Sequence, residues 1–200
     1  FEGDVDLPPT IGGLRRQLLL ARRIRDDPAF GVSGDEQAAQ LAAALASFID
    51  EVDTTEADLG RLEGLVDDAG LSEHWQTTLR FLTGVLDAWH QTLEREDRID
   101  PAAHRRCLLD NLEQRWRDNP PKGPVIAAGS TGTIPATARL LARVRELPQG
   151  MVVLPGLDQD LEDGAWTAIA PSHPQHALKT LLEHFEVERE AVQSWPVPGW

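Results

Sequence analysis

Cysteine is almost absent from this 200-residue sequence, which contains only Cys107. A single cysteine cannot form an internal disulfide framework, a cysteine-based zinc site or a cysteine-ligated iron–sulfur cluster within the chain. We therefore expect the chain itself to carry no cofactor. A reducing, cytoplasmic setting fits this cysteine content.

Long apolar runs are also missing, because no stretch of 18 or more residues is apolar throughout. Such a run is what a transmembrane helix requires, so we expect no membrane partner. The first residues, FEGD, have neither the basic start nor the apolar run of a signal peptide. The sequence also lacks an initiator methionine, its only methionine being Met151. We expect it to be a processed product or an excised piece of a longer protein.

Basic residues are outnumbered, since 19 lysines and arginines face 33 acidic residues and give a net charge of −14. This charge argues against a global electrostatic attraction to nucleic acid or to an anionic membrane. Basic residues nevertheless concentrate in two predicted helices, which would form a phosphate-facing stripe if they lay side by side. The candidate DNA-binding residues are Arg15, Arg16, Arg22, Arg23, Arg105 and Arg106. The alternative is that they form ordinary surface ion pairs with the interspersed acids.

Helical periodicity dominates the first 120 residues. The first helix is predicted over residues 11–26, with Arg16 and Arg23 pointing away from its apolar face. That face is predicted to consist of Ile11, Leu14, Leu18, Ala21 and Ile24. Further helices are predicted over residues 37–52 and 100–118, with a short helix between residues 54 and 69 that carries Leu59, Leu62 and Leu65.

The most regular helix in the sequence begins near Ser72. Its apolar residues alternate at spacings of four and three, which is typical of packing in an antiparallel bundle. They are Trp75, Leu79, Leu82, Leu86, Trp89 and Leu93. A protein-interaction module built on this helix is one functional alternative.

The chain changes architecture at the breaker sequence NPPKGP, residues 119–124. After it, the strand-like VIAA (125–128), the turn GSTG, a helix and the strand-like MVVL (151–154) form the outline of a βαβ unit. The predicted fold class is therefore α/β with a dominant helical part. The predicted domains are a helical subdomain, residues 1–120, and an α/β segment, residues 121–200.

The turn made of Gly129, Ser130, Thr131 and Gly132 lies between a predicted strand and a predicted helix. Backbone N–H groups at such a helix start can hold a phosphate, so these four residues are candidate phosphate-binding residues. However, the turn lacks the lysine of a Walker A loop, the spacing of a dinucleotide fingerprint and the spacing of a nucleophile elbow. Two interpretations stay open: a phosphate- or nucleotide-binding loop, and a tight turn whose Ser and Thr cap the helix.

An acidic turn follows the second strand, with Asp158, Asp160, Glu162 and Asp163. Carboxylates just past a strand end suit Mg²⁺, but without a companion phosphate loop a solvated acidic loop is favoured. We find no catalytic residue set in the sequence and predict no metal site.

The stretch GPVIAAGSTGTIPATARLLARVRELPQGMVVLPGLD, residues 123–158, resembles the AddB family in its alphaproteobacterial form. AddB proteins are the second subunits of AddAB helicase–nucleases, which process DNA double-strand breaks. The resemblance also includes LPPTIGGLRRQLLLARRI (7–24), EHWQTTLRFL (73–82), IDPAAHRRCLLDNLEQRW (99–116) and HPQHALKTLLEHF (173–185). GSTGTIPAT and LPGLD are its most specific parts.

This resemblance implies a portion of the helicase-like region of such a subunit. Residues up to about 120 would be a helicase-insertion-like helical subdomain, and the rest part of a RecA-like P-loop helicase domain. The implied partners are the AddA subunit, double-stranded DNA ends and single-stranded DNA. ATP, Mg²⁺ and an iron–sulfur cluster would belong to the parent protein, the cluster lying outside this chain. Active relatives carry an Asp-Glu pair where this sequence reads AAGSTG, which implies a degenerate motor site.

Overall fold

The computed structural model describes residues 6–58 and 69–195, except for the side chains of residues 69–75 and 77. The described chain is mostly helical and contains a small parallel sheet, which confirms a helix-dominated α/β class. It divides into two compact units, Phe1–Cys107 and Leu108–Trp200. The division falls inside a helix, whereas the sequence places a domain boundary after residue 120. In residues 6–58 and 69–195, no helix combines the length and hydrophobicity that a membrane span requires.

In its described residues, unit 1 contains the helices α1 (Gly13–Asp26), α2 (Asp35–Thr55) and α3 (Ala69–Glu96). The first turns of α4 (Pro101–Asp118) also belong to it. The core of the unit is apolar and includes Leu20, Ile24, Ile49, Val85 and Trp89. The predicted short helix starts wrongly at residue 54, because Thr54 and Thr55 form the end of α2. Its apolar residues, Leu59, Leu62 and Leu65, lie outside the described residues.

The apolar face predicted for α1 is wrong in part. Ile11 and Ile24 are buried as predicted, but Leu14 and Leu18 are 72% and 61% exposed. The buried face of the helix instead carries Arg16, Leu20 and Ile24, at a spacing of four residues. Arg16 therefore does not point away from the core, because acidic side chains inside the unit pair with its guanidinium.

The regular apolar stripe of α3 is confirmed where its side chains are described. Leu79, Trp89 and Leu93 are buried, and Leu82 and Leu86 are half-buried. Val85 joins them in the core. The 4,3 spacing thus identifies a helix face that packs inside its own unit.

Unit 2 contains the predicted βαβ unit, β1 (Val125–Ala128), α5 (Pro135–Glu146) and β2 (Gly150–Val153), and two later helices, α6 (Asp163–Thr167) and α7 (His176–His184). The two strands pair in parallel, with Val125 opposite Gly150 and Ala128 opposite Val153. Ala138 and Leu141 of α5 form a core with Leu181 of α7 and with Phe185. α5 is also tied to the last turns of α4 by ion pairs between Arg139 and Asp110 (2.6 Å) and between Arg143 and Glu113 (2.9 Å).

Candidate nucleic-acid interface and phosphate-binding turn

Helix α1 concentrates positive charge, since its 14 residues include five arginines and one aspartate. The side chains of Arg15, Arg22 and Arg23 are 62%, 75% and 52% exposed. Each also has an acidic neighbour. Arg15 Nε donates to Glu96 Oε2 at 2.9 Å, while the i,i+4 pairs with Asp26 and Asp27 are looser, at 3.6 and 3.7 Å. Exposed pairs of this kind are weak, so these arginines can exchange a carboxylate for a phosphate.

Arg16 occupies a different environment from its neighbours, because its side chain is only 7% exposed. Its Nη1 donates to Asp50 Oδ2 at 2.9 Å, and its Nη2 donates to the Ala46 carbonyl at 3.3 Å. Its Nε lies 2.7 Å from Asp100 Oδ1, in a Coulombic contact rather than an aligned hydrogen bond. Arg16 thus links α1 to α2 and to the residue that precedes α4. It is not placed to meet a phosphate at the surface.

Asp100 is the most deeply buried carboxylate described, at 1% exposed. Trp89 Nε1 donates a hydrogen bond of 2.6 Å to its Oδ2. Burial raises the pKa of Asp100, and the Trp89 hydrogen bond and the Arg16 charge offset only part of that rise. The sequence places Asp100 at the start of a predicted helix, but no local pattern reveals its pairing with Arg16, which is 84 positions away in the chain.

The two candidate arginines of α4 also differ from each other. Arg105 is exposed, whereas Arg106 is partly buried, with its Nη1 3.9 Å from Asp53 Oδ1. Asp53 is buried, and this burial raises its pKa although the Arg106 charge acts in the opposite direction. Of the six candidate DNA-binding residues, four are therefore exposed: Arg15, Arg22, Arg23 and Arg105.

The Asp53→Asn variant should change how stability depends on pH. Burial raises the pKa of Asp53, so the folded chain favours the protonated carboxyl. The contribution of Asp53 to the free energy of unfolding is therefore complete below the ordinary carboxyl pKa, about 3.9. This contribution is lost as the pH rises through the raised pKa of the folded chain. Asparagine cannot ionise. We expect the free energy of unfolding of the variant, relative to the parent chain, to rise as the pH increases above about 4. Urea unfolding followed by circular dichroism at several pH values measures this difference.

Glu113→Gln is the matched control with the opposite sign. Burial alone would raise the pKa of Glu113, but hydrogen bonds from Arg143 and Arg117 outweigh it, and the pKa is lowered. A carboxylate with a lowered pKa stabilises the fold at neutral pH and loses that contribution as the pH falls. The Glu113→Gln chain should therefore become less stable relative to the parent as the pH rises. If the relative stability of the two variants changed in the same direction with pH, the opposite pKa shifts of Asp53 and Glu113 would be contradicted.

The turn from Gly129 to Gly132 joins β1 to α5, but α5 begins only at Pro135 and has no side-chain cap. The interpretation that Ser130 and Thr131 cap this helix is therefore wrong. Gly129 and Gly132 have φ values of +80° and +65°, in the left-handed region that favours glycine. Ser130 Oγ accepts a hydrogen bond of 3.3 Å from the Gly132 N–H, so one of the amides that would face a phosphate is used within the turn. A Cβ on Gly132 would also lie 2.6 Å from Leu181 Cδ1. The glycines are thus required by backbone conformation and packing, whether or not the turn holds a ligand.

The acidic turn after β2 is organised by contacts within unit 2. Asp158 Oδ1 accepts a hydrogen bond from the Asp160 N–H at 3.0 Å. Asp163 pairs with Arg189 at 2.8 Å, and the same buried guanidinium donates to the Leu161 carbonyl and lies 5.1 Å from the Trp166 ring. Sequence reasoning missed Arg189, which carries no motif. Among the described residues, no three His, Cys, Asp or Glu side chains are grouped so that they could hold a metal ion.

No family model, curated protein or solved structure matches this chain. The AddB-family resemblance, and the DNA and AddA partners that it implies, stay predictions.

Proposed function

We propose that this chain is a non-catalytic, helicase-like portion of an AddB-type subunit, which guides DNA within a helicase–nuclease that processes double-strand breaks. In this proposal residues 1–120 are the helicase-insertion-like helical part, and the α/β unit belongs to a RecA-like domain. AddA supplies the motor activity. The observation that carries the DNA-guiding role is the exposed arginine face of α1 in a chain whose net charge is −14.

The arginine face consists of Arg15, Arg22 and Arg23, and its geometry suits a nucleic-acid backbone. Arg15 and Arg22 are seven residues apart, two helical turns, so their side chains leave the same side of α1 about 10 Å apart along its axis. Both are more than 60% exposed. Arginine on a helix surface is well suited to phosphate, because its planar guanidinium can donate two hydrogen bonds to one phosphate.

The Gly129–Gly132 turn supports the non-catalytic part of the proposal. Phosphoryl transfer in P-loop enzymes uses a lysine after the loop and a carboxylate that holds Mg²⁺. Here the turn is followed by Thr133, and Ser130 Oγ is already bonded within the turn. The nearest acidic turn in the sequence begins at Asp158, where two carboxylates are used in internal contacts.

The arginine face is tested by binding of forked DNA with single-stranded arms, followed by fluorescence anisotropy at several salt concentrations. We expect the Arg15→Ala/Arg22→Ala double variant to bind more weakly. It should also lower the slope of log affinity against log salt by about 1.4, since each lost single-strand phosphate contact accounts for about 0.7. Glu96→Gln should strengthen binding, because it releases Arg15 from its exposed pair.

The Arg117→Ala/Lys179→Ala variant is the charge-matched control, since it removes two positive charges from unit 2. It should keep the parent slope. Equal losses from the two double variants would show a response to net charge alone, and unchanged binding by the α1 variant would remove the arginine face from the proposal.

A further inference from the structure

The outer edge of β2 has main-chain groups that point away from β1. The Val125 N–H donates to the Gln149 carbonyl at 3.0 Å, and the Gly129 N–H donates to the Val153 carbonyl at 3.2 Å. In a parallel pair, alternate residues of each strand direct their N–H and C=O to the same neighbour. The N–H and C=O of Val152 therefore point to the opposite side, as does the N–H of Leu154. Among the described residues the sheet consists of β1 and β2, and neither another strand nor a bridge of the described residues occupies this edge.

A groove of about 640 Å³ runs along this edge of β2. Its lining is largely apolar and includes Val152, Leu154, Phe185, Val187 and Trp195. Among the residues that line it, Arg145 alone carries a charge. The Arg145 guanidinium lies 5.5 Å from the centroid of the Phe185 ring, which holds this positive charge at the groove.

One face of the sheet is left exposed by the described residues of unit 2. Ala127 and Val152 pack against the core formed by α5 and α7, whereas Ile126 and Met151 are 58% and 45% exposed. These two exposed residues lie opposite each other in the parallel pair. Parallel strands are normally part of larger sheets covered on both faces, and a two-stranded sheet is marginal by itself. The sheet is therefore able to extend.

We propose that the outer edge of β2 and its groove accept an extended segment of a partner protein as a third, parallel strand. The segment would pair with the main-chain groups of Val152 and Leu154 and place apolar side chains at alternate positions in the groove. An acidic side chain at its amino end would meet Arg145, which lies in the last turn of α5, just before the link that leads into β2. This proposal does not depend on the proposed DNA-guiding role.

The main-chain groups on the outer edge of β2 are better suited to binding an extended strand than to binding a compact small ligand. The available donors and acceptors on β2 recur every second residue, about 7 Å apart, which is the repeat of an extended chain. The charge pattern is also specific. A segment with a single carboxylate is complementary to the one cation of the groove, whereas a basic segment would face Arg145 unpaired.

A synthetic hexapeptide tests the proposal directly. Its sequence, acetyl-Asp-Thr-Val-Thr-Val-Thr-amide, alternates the two faces of the strand, so that the aspartate at the amino end lies on the same face as the valines. Titrated into the ¹⁵N-labelled full chain, it should shift the amide signals of Val152 and Leu154 more than those of Met151 and Val153. The same peptide with N-methyl groups on the amides that face β2 keeps every side chain but loses its donors, and we expect about tenfold weaker binding.

The charge complementarity is tested with Arg145→Gln and with a peptide that has asparagine in place of aspartate. Arg145→Gln should weaken binding of the aspartate peptide several-fold and leave binding of the asparagine peptide nearly unchanged. The proposal is overturned if the peptide causes no amide shift at about 1 mM, or if the N-methylated peptide binds equally well. It is also overturned if the chain self-associates and protects the same amides, because the edge then belongs to a second copy.

Discussion

Replacing Arg16 with alanine is expected to lower the free energy of unfolding by about 3–5 kcal/mol, the cost of removing one partner from a buried ion pair. Asp100 would lose the guanidinium that lies 2.7 Å from its Oδ1 while its carboxylate stayed 1% exposed. Only the Trp89 hydrogen bond would then compensate this carboxylate. Urea unfolding of the parent and variant chains, followed by circular dichroism, measures the difference.

Arg15→Ala is the matched control, since it removes the same side chain one position earlier, where it is exposed. An exposed ion pair contributes less than about 1 kcal/mol, so this variant should unfold almost as the parent does. If the Arg16→Ala chain fails to fold, the Arg16→Met/Asp100→Asn variant keeps the prediction testable. It removes both charges, and the asparagine side chain at position 100 can still accept from Trp89. We expect this double variant to recover most of the free energy of unfolding that Arg16→Ala loses. If Arg15→Ala and Arg16→Ala lowered the free energy of unfolding equally, the buried ion pair would be refuted.

α1 shows why local periodicity predicts a helix better than it predicts the buried face. Leu14 and Leu18 recur at helical spacing, but so do Leu20 and Ile24, whose face is rotated by about 120° around the helix axis. The sequence of α1 alone cannot choose between the two sets. The buried face is determined by Asp50 and Asp100. Their carboxylates form ion pairs with the guanidinium of Arg16, so that the side of α1 that carries Arg16 can be buried. That information lies in α2 and in the residue that precedes α4, far away in the chain.

Unit 2 was easier to predict, because its elements are short and bounded by glycine and proline. The strand VIAA has the predicted bounds, and β2 is shifted by one residue, to Gly150–Val153. The groove beside β2 had no comparable signal. It is lined by Arg145 of α5 and by residues of β2, of the segment after β2, of α7 and of the segment after α7, and only tertiary packing brings these together. Four-residue apolar strands also do not indicate which of their faces is covered.

Gly150→Ala is expected to be the most damaging single-atom addition among the described glycines. A Cβ at this position would lie 1.7 Å from the Val144 carbonyl oxygen and 3.0 Å from Leu147 Cβ. The oxygen belongs to the backbone of α5, so no side-chain rotation can relieve the clash. The turn must move, although it is fixed by hydrogen bonds from Leu147 N–H to the Val144 carbonyl and from Gly150 N–H to the Leu147 carbonyl. We expect a loss of about 3 kcal/mol, at the upper end of the range for overpacking.

The displacement should be visible in the sheet as well as in stability. Gly150 lies opposite Val125 at the start of the parallel pair, so moving it pulls β2 away from β1. Hydrogen exchange at the Val125 and Gly129 amides, which bond to the Gln149 and Val153 carbonyls, should accelerate together. Gly123→Ala is the control, because a Cβ there meets nothing within 4 Å. If both alanine variants unfold alike and keep slow exchange at these two amides, the close approach of α5 to the start of β2 is not what requires glycine at position 150.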